Sequence, residues 1–369
     1  MMELTVSQPA LQKELEVLQG VVERKNTVPI LGNVLLVADK EGLELMATDL
    51  EVSVRSRTSA EVKAEGGISV SARKLYEIVR LLPESEITIK DDGQSWATVL
   101  CGKSRFRIMG LAKDDFPTMP SAGKATKIRI PGPLLRRMIE KVIFAVTPDD
   151  SRFALNGALL ILGSKTISLV ASDGFRLAHV QEPLEKGPSE EERILVPKKA
   201  LGEIARITVS AEEDVFYCRK DNHLFFDIGP TRLAARLLEG TFPNFEKVIP
   251  KGNDKLVEFE RGSLTTALTR VSVLANERSR AIKLSLKAGK AEVSSRNPEM
   301  GEASESLGTD YSGDDVEIGF NAKYLLDFLS VVGSDKVLME LKDEVSQGVL
   351  KPAGDESSKY TYVVMPMRI

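Results

Sequence analysis

Leu45-Met46-Ala47-Thr48-Asp49, Leu169-Val170-Ala171-Ser172-Asp173 and Val293-Ser294-Ser295-Arg296-Asn297 are three versions of one short pattern. They are spaced 124 residues apart, twice, which is about a third of the 369-residue chain. Solenoid repeats have units of roughly 20–50 residues, so this longer spacing indicates three tandem copies of one domain. The predicted domains are residues 1–122, 123–252 and 253–369.

Each third of the sequence divides again into two halves with the same order of elements. A short strand, such as Leu4-Thr5-Val6, precedes a helical stripe of apolar residues, and alternating strands follow. The pattern predicts helices over Pro9–Lys25, Ala72–Leu82, Pro131–Ala145, Pro197–Ile207, Gly262–Arg280 and Asn321–Val331. Most strand connections are too short for a helical crossover, which favours antiparallel sheets. The predicted fold class is therefore α+β.

Composition places the chain among ordinary globular proteins. It has 42% hydrophobic and 28% charged residues, and no segment approaches the ~18 consecutive apolar residues of a membrane helix. The N-terminus lacks the features of a signal peptide. Cys101 and Cys218 are the only cysteines and form no CxxC motif. We therefore expect a reduced, cytoplasmic protein with no membrane contact. The net charge of −4, taken alone, argues against a nucleic-acid partner.

The distribution of charge changes that expectation. The four predicted helices in the middle of the series each have a net charge of +2, whereas the first and last are neutral. Lys74, Lys199 and Lys323 recur at one repeat position near a helix start. Basic residues on a helix are often only solvated, but their recurrence favours a surface for phosphates, which bind electrostatically and with little regard to sequence. Because no aromatic platform accompanies them, duplex is a better partner than single strands.

Residues suited to catalysis are few. His179 and His223 have no serine, cysteine or aspartate at a diagnostic spacing, and the chain has no phosphate-binding glycine motif. Asp49 and Asp173 share a repeat position and could be metal ligands of a hydrolase, but Asn297 replaces them in the third copy. An aspartate in this context is more typical of a turn. We expect no catalytic residue, no metal and no cofactor.

Two methionines stand close to the C-terminus, where Met365 and Met367 bracket Pro366. One interpretation is that their side chains fill the core. The other is an adaptable binding surface, because flexible methionine side chains suit the recognition of several partners.

Four motifs together resemble one family. They are Thr27-Val28-Pro29-Ile30-Leu31-Gly32-Asn33, Ala171-Ser172-Asp173-Gly174-Phe175-Arg176-Leu177-Ala178, Arg296-Asn297-Pro298-Glu299 and Tyr362-Val363-Val364-Met365-Pro366-Met367-Arg368-Ile369. In order and spacing, over the whole chain, they are similar to the bacterial replicative sliding clamps, the beta subunits of DNA polymerase III holoenzyme. The resemblance implies a head-to-tail homodimer closed into a ring of six domains, with helices inside and antiparallel sheets outside.

The function implied by the resemblance is that of a DNA polymerase processivity factor. Such a ring encircles duplex DNA without regard to sequence and tethers its partners through a peptide-binding pocket. The implied partners are the replicative polymerase subunit, the clamp loader and repair polymerases, which bind through short peptide motifs. The alternative is a peptide-binding scaffold whose contact with DNA is incidental.

The resemblance also implies three groups of site residues. The DNA-binding residues are Arg24, Arg73, Lys74, Arg137, Arg152, Lys198, Lys199 and Lys323. The partner-peptide pocket is formed by Leu155, Ser172, Gly174, Phe175, Arg176, Leu177, Pro243, Val248, Val363, Met365, Pro366, Met367 and Arg368. In the pocket, Arg176 and Arg368 are expected to supply charge at the rim. At the dimer interface, Phe106 and Ile108 are expected to meet Val273 and Leu274, and Lys103 and Arg105 to face Glu299 and Glu302.

Three positions depart from the family pattern or vary within it. Asp149 replaces an uncharged polar residue that contacts DNA in some members, and an acidic side chain there disfavours a phosphate contact. Phe175 and Gln347 occupy pocket positions at which members differ.

Overall fold

The computed structural model describes residues 1–22, 28–147, 151–209, 213–354 and 359–368. Its helices are α1 (Gln8–Gln19), α2 (Ala72–Leu81), α3 (Gly132–Val142), α4 (Lys198–Ile207), α5 (Arg261–Val271) and α6 (Ala322–Val331). They coincide with the six predicted helices, although three are shorter than expected. The third ends at Val142 and continues only as a 3-10 turn over Ile143–Ala145. The first ends at Gln19, and the fifth ends at Val271 and continues only as a 3-10 turn over Ser272–Leu274. Arg278 and Arg280 therefore lie outside the helix to which their charge was assigned.

The strands repeat in the same order in each third of the chain. The first third contains β1 (Glu3–Ser7), β2 (Asn33–Asp39), β3 (Gly42–Thr48), β4 (Val52–Thr58), β5 (Glu61–Ala64), β6 (Gly66–Ser71), β7 (Glu86–Asp91), β8 (Trp96–Cys101) and β9 (Ser104–Ala112). The second contains β10 (Ile128–Ile130), β11 (Gly157–Leu162), β12 (Thr166–Ser172), β13 (Arg176–Pro183), β14 (Glu192–Pro197), β15 (Val215–Lys220), β16 (His223–Ile228) and β17 (Thr231–Arg236). The third contains β18 (Lys255–Glu260), β19 (Ala281–Lys287), β20 (Lys290–Asn297), β21 (Gly301–Gly308), β22 (Val316–Asn321), β23 (Lys336–Leu341), β24 (Gly348–Pro352) and β25 (Lys359–Val364).

The described strands pair only in antiparallel fashion, as the short connections predict. The α+β class and the three tandem copies are confirmed. Each copy consists of strand, helix and three strands, followed by the same series again, with β5 as an addition in the first copy. Some strands bury alternate side chains, as β8 does, whereas β11 is buried along its whole length. Each helix buries one apolar stripe, such as Leu11, Leu15 and Leu18 of α1.

The chain forms two compact units, and each one combines parts of two repeats. Unit 1 comprises Met1–Arg136 and Lys199–Leu237, and unit 2 comprises Arg137–Lys198 and Leu238–Ile369. Within unit 1, β4 of the first repeat pairs with β17 of the second. Within unit 2, β13 of the second repeat pairs with β25 of the third. We call these pairings, with the turns and helices beside them, junction 1 and junction 2.

Candidate functional site

The predicted peptide pocket lies where β13 pairs with β25 in unit 2. Leu177 lies opposite Val363 in this ladder, and both are buried. They belong to an apolar cluster with Leu159, Ile161, Val170, Leu195, Phe242, Phe245 and Val349. Leu155, in a short 3-10 turn, packs against the cluster and is only half-buried. Sequence-distant segments therefore converge on one apolar wall, as the resemblance implies.

The C-terminal tail runs along the edge of this wall. The Met365 N–H donates to the Phe175 carbonyl at 2.9 Å, and the Met367 N–H donates to the Gly319 carbonyl at 2.8 Å. Phe175 is 54% exposed and Met365 39% exposed. These bonds fix the tail backbone while leaving apolar side-chain surface open to solvent. A surface of this kind suits an apolar anchor residue of a peptide.

The remaining predicted pocket residues surround these two. Pro243 and Arg368 are exposed, Pro366 and Met367 are half-buried, and Val248 ends the short 3-10 turn that carries Phe245. Gln347 is half-buried, and its backbone carbonyl accepts a hydrogen bond from the Asn253 side chain at 3.0 Å.

The turn between β12 and β13 holds the pocket side chains in place. Asp173 Oδ1 accepts the N–H groups of Phe175 and Arg176 at 2.9 and 3.0 Å. Ser172 Oγ accepts the Gly174 N–H at 3.2 Å and donates to the Arg176 carbonyl at 2.8 Å. Gly174 has φ +89°, a left-handed conformation that favours glycine. The expectation of a turn at Asp173 is confirmed.

Arg176 is not the rim cation that the sequence predicted. It is 8% exposed, and its guanidinium donates to Asp173 Oδ2 at 3.0 Å, Asp327 Oδ2 at 2.7 Å and the Phe144 carbonyl at 2.6 Å. It also stacks on the Tyr324 ring, with 4.4 Å from its carbon to the ring centroid. Burial opposes the charge, but the surrounding acidic groups outweigh it and raise the guanidinium pKa above its ordinary value. Arg176 therefore fixes the pocket wall.

The partners of Arg176 were missed by sequence reasoning. Asp327 and Tyr324 lie on α6, about 150 residues away in the chain, and no motif connects them to the turn. The one available signal was that Asp327 stands four residues after the recurrent Lys323, whose Nζ donates to the Asp327 carboxylate at 2.7 Å. That spacing predicts an ion pair along one helix face.

Most of the described basic residues predicted for DNA lie on helices, and those at the start of α2 are paired with a carboxylate. Arg73 and Lys74 of α2 are exposed, and both donate to the Glu77 carboxylate at 2.8 and 2.9 Å. Hydrogen bonds from Lys74 and Arg73 lower the pKa of Glu77. Arg137 of α3 is also exposed. These side chains can exchange an internal carboxylate for a phosphate at little desolvation cost.

Lys198 and Lys199 differ although they are adjacent. Lys198 is exposed, and its Nζ donates to the Val146 carbonyl at 3.3 Å in unit 2. Lys199 is 30% exposed, and its Nζ forms an ion pair with Asp49 and donates to the Val21 carbonyl at 3.0 Å in unit 1. Lys199 thus connects α4 to the first repeat.

Arg152 is likewise bound to protein. Its guanidinium donates to the Asp173 carbonyl at 3.0 Å, beside the pocket turn. Arg24 and Asp149 lie outside the described residues.

The residues predicted for the dimer interface lie on, or close to, two strands with an open edge. In unit 1, Phe106 and Ile108 lie on β9, whose first six residues pair with β8 only, within the described ranges. Arg105 and Lys103 at its start are exposed. In unit 2, β21 pairs only with β20 in the part of the chain that the structure describes.

The predicted partners of β9 are at or beside β21. Val273 is 72% exposed and Leu274 half-buried, in the turn after α5, which packs on β21. Glu302 lies within β21 and Glu299 just before it, and both are exposed. An apolar pair and an acidic pair are therefore available beside one open edge.

The repeat position that could have been a metal site serves a turn in all three copies. Asp49 Oδ1 accepts two backbone N–H groups, from Glu51 and Val52, as Asp173 Oδ1 does in the second copy. Asn297 Oδ1 accepts the Glu299 N–H at 3.1 Å. Over the residues described, no group of three or more His, Cys, Asp or Glu side chains is placed to hold a metal ion. No helix in the described ranges is long and apolar enough to cross a membrane.

Comparison with known proteins gives one consistent result. The family models of the DNA polymerase III beta subunit match its N-terminal domain at residues 2–120, its central domain at 129–244 and its C-terminal domain at 246–368. The beta sliding clamp of Pseudomonas putida is 40% identical, and that of Escherichia coli K12 34% identical, with both chains of each pair covered completely. A crystal structure of the Pseudomonas aeruginosa DNA polymerase III subunit beta has a TM-score of 0.93 and 37% identity over 100% of both chains. A second structure of the P. aeruginosa clamp, bound to griselimycin, matches with the same TM-score, identity and coverage.

Proposed function

The chain belongs to the DNA polymerase III beta subunit family, the bacterial sliding clamps, and we propose that it acts as a processivity factor of DNA replication. Two copies close into a ring around duplex DNA, and polymerases are held to the ring by short peptides. The observation that carries this proposal is the full-length match of three tandem clamp domains. We assign these domains to residues 1–122, 123–252 and 253–369.

The charge distribution suits a ring that slides. A topological link holds DNA without tight binding, so each phosphate contact can be weak and sequence-independent. Exposed basic side chains at helix starts, already paired with carboxylates as in α2, provide such contacts. Among the described residues, Arg73, Lys74, Arg137, Lys198 and Lys323 are our phosphate contacts. We assign mainly structural roles to Lys199, which forms an ion pair with the buried Asp49 carboxylate, and to Arg152, which binds the carbonyl of Asp173 in the pocket turn.

The pocket at junction 2 is the site for partner peptides. A leucine or phenylalanine of the peptide would lie on the apolar wall of Leu155, Leu177 and Val363, beside Phe175 and Met365. Arg368 is exposed at the rim and would pair with acidic residues of the peptide. The replicative polymerase subunit, the clamp loader and repair polymerases are the partners of this class.

The protein works without catalysis of its own. The turn role of Asp49, Asp173 and Asn297 supports this assignment, because these were the residues from which a hydrolytic centre could be argued. We assign it to the cytoplasm, where replication takes place and where its two buried cysteines stay reduced.

The test is retention on closed DNA. The clamp is loaded onto nicked circular DNA with a bacterial clamp loader and ATP, isolated by gel filtration, and followed after cleavage of the circle at one site. We expect stable retention on the circle and rapid loss from the linear product, because the protein leaves over free ends. Equal retention on both forms would contradict the ring.

A set of charge reversals separates the clamp from the alternative scaffold. Replacing Arg73, Lys74 and Lys198 by glutamate is expected to shorten primer-extension products while leaving the affinity for a polymerase peptide unchanged. Glutamate at Lys283 and Lys290, which lie on β19 and at the start of β20, is the matched control. Unchanged extension with the helix variants would favour the scaffold.

A further inference from the structure

Asp327 of α6 binds two cations that differ in their exposure. Its carboxylate accepts hydrogen bonds from Lys323 Nζ at 2.7 and 2.9 Å, and its Oδ2 also accepts one from Arg176 Nη1 at 2.7 Å. The Lys323 side chain lies one turn away on the same helix and is 50% exposed, whereas the Arg176 side chain is 8% exposed. The carboxylate therefore connects an ammonium group in contact with solvent to the buried guanidinium of the pocket wall.

Arg176 in turn holds the backbone segments that form the pocket. Its Nε donates to Asp173 Oδ2 at 3.0 Å. Asp173 Oδ1 accepts the Phe175 N–H, and the Phe175 carbonyl accepts the Met365 N–H of the C-terminal tail. A continuous series of hydrogen bonds thus leads from Lys323 to the two exposed apolar side chains of the pocket.

Helix α2 has a similar acid but no such connection. Counted from the helix starts, Arg73, rather than Lys74, occupies the position of Lys323. Glu77 takes the position of Asp327, and its two partners on α2 are 76% and 65% exposed. Within the described ranges, Glu77 therefore joins only exposed cations to each other.

Helix α4 differs in another way. Lys199 occupies the position of Lys323 but forms its ion pair with Asp49, outside the helix. The acid of α4, Glu203, pairs with Arg206, which is 38% exposed. Over the part of the chain that the structure describes, α6 is thus the helix of these three whose acid connects an exposed cation to a buried one.

We infer that Lys323 couples DNA inside the ring to the peptide pocket. Two cations that share one carboxylate repel each other, so withdrawal of one strengthens the charge-assisted bond of the other. A DNA phosphate that binds Lys323 therefore strengthens the bond between Asp327 and Arg176, stiffens the pocket turn and raises the affinity for a partner peptide. By thermodynamic linkage, a bound peptide strengthens the phosphate contact in return. This inference rests on the proposed function, and it means that partners prefer clamps on DNA to free clamps.

The first test uses the free protein without DNA. Lys323→Ala removes the exposed cation, as a phosphate would, so the affinity for a fluorescein-labelled polymerase peptide should rise by about 2- to 5-fold, the range for a half-exposed ion pair. Lys323→Arg keeps the cation and should keep the original affinity. Fluorescence anisotropy measures both, and a gain in affinity cannot result from partial unfolding.

Two further variants identify the position and the carboxylate. Lys336→Ala is the matched control, because Lys336 is 51% exposed and pairs with Glu258 at 2.8 Å on β23, and it should leave the peptide affinity unchanged. Asp327→Asn removes the shared charge. In that background Lys323→Ala should change the affinity by less than about 1.5-fold, because the coupling is gone.

The second test adds DNA. The same peptide is titrated against free clamp and against clamp loaded on nicked circular duplex. We expect about 2- to 5-fold tighter binding on the circle for the original protein and equal affinities on and off the circle for Lys323→Ala.

The outcomes separate the inference from the proposed function. Unchanged or weaker peptide binding by free Lys323→Ala would overturn the inference and leave the clamp function intact. An equal gain on DNA with and without Lys323 would also overturn it, because DNA would then act through another contact. A protein that is not retained on the circle would contradict the proposed function and this inference with it.

Discussion

Junction 1 and junction 2 contain the same type of turn and differ in the partner that its aspartate binds. Asp49 directs its second oxygen to Lys199 of α4, so its charge connects two repeats. Asp173 binds Arg176 with the equivalent oxygen, Oδ2, and Arg176 lies three residues later in the same turn. The equivalent of Arg176 in the first repeat is Val52, which is buried in the core. A change from valine to arginine therefore distinguishes junction 1 from junction 2, where we place the peptide pocket.

The comparison teaches how a repeat acquires a function without changing its fold. Both turns use an aspartate cap and a left-handed residue, Leu50 with φ +78° and Gly174 with φ +89°. In junction 2, the buried arginine draws Asp327 and Tyr324 of α6 towards the turn. The wall beside the apolar cluster is thereby made rigid, and a rigid wall lowers the entropic cost of peptide binding.

The largest expected difference between the junctions comes from removing their cations. Arg176→Ala leaves the carboxylates of Asp173 and Asp327 in partly buried positions without their shared partner. We expect a loss of about 3–5 kcal/mol from the stability of unit 2, together with a large loss of peptide affinity. Lys199→Ala leaves one buried carboxylate, that of Asp49, which still accepts two backbone N–H groups, so it should cost unit 1 less, about 1–3 kcal/mol.

Hydrogen exchange followed by mass spectrometry measures both effects. Peptides from β13 should lose protection in Arg176→Ala, while peptides from β4 keep theirs, and Lys199→Ala should show the reverse at smaller amplitude. Equal losses of protection from the two substitutions would contradict the comparison. The buried network of Arg176 would then stabilise its junction no more than the Lys199–Asp49 ion pair stabilises the other.

A smaller effect is expected from exchanging the left-handed residues. Gly174→Ala places a Cβ at a left-handed φ, 2.8 Å from Arg152 Nη1, and should cost about 1–2 kcal/mol. Leu50→Gly relieves the same strain but adds freedom to the unfolded chain, so we expect a net gain of about 0.5 kcal/mol or less. Urea unfolding of the two variants checks the signs. Destabilisation by Leu50→Gly would show that its exposed side chain contributes more than its backbone strain removes.

The smallest effect is an opposite response of the two units to mild acid. Burial of Glu14 in unit 1 raises its pKa, so the folded unit holds a proton more tightly than the unfolded chain, and stability rises as pH falls towards about 4.5. Burial of His179 in unit 2 lowers its pKa, so the unfolded chain takes up the proton first, and stability falls as pH falls below about 6.5.

Pulse proteolysis in urea between pH 7 and pH 5 can follow the two units by the fragments that each one releases. Glu14→Gln should flatten the response of unit 1 and His179→Gln that of unit 2. A common slope in both units, retained in both variants, would attribute the response to other groups.

The parts of the fold that follow from local pattern were predictable, and those that depend on distant contacts were not. The repeat of the Asp49 turn and the apolar stripes gave three domains and six helices. The end of α5 was misplaced, because apolar spacing continues through Val271 and Leu274 while the backbone tightens to a 3-10 turn. A change of helix type leaves almost no trace in the spacing of apolar residues.

The same distinction applies to the candidate site. The resemblance assigns Leu177, Val363 and Met365 to one pocket; Leu177 lies opposite Val363 in the β13–β25 pair, and Met365 follows in the tail, while their binding of a peptide stays a prediction. It could not indicate that Arg176 is buried, since its acidic partner Asp327 and its ring partner Tyr324 come from another repeat. Whether a side chain is buried depends on which elements pack together, and a single sequence does not show these long-range contacts.

The open edge of β9 has a consequence for the synthesis of the chain. This strand is synthesised roughly 190 residues before β21 begins. At about 5–20 residues per second, some 10–40 seconds pass between the two. During that interval an unpaired strand is a template for unwanted association with other nascent chains. Lys103 and Arg105 at its start, with Arg107 following, put positive charge along the waiting edge. Like charges repel a neighbouring copy of the same strand, so these residues disfavour association of nascent chains through this edge.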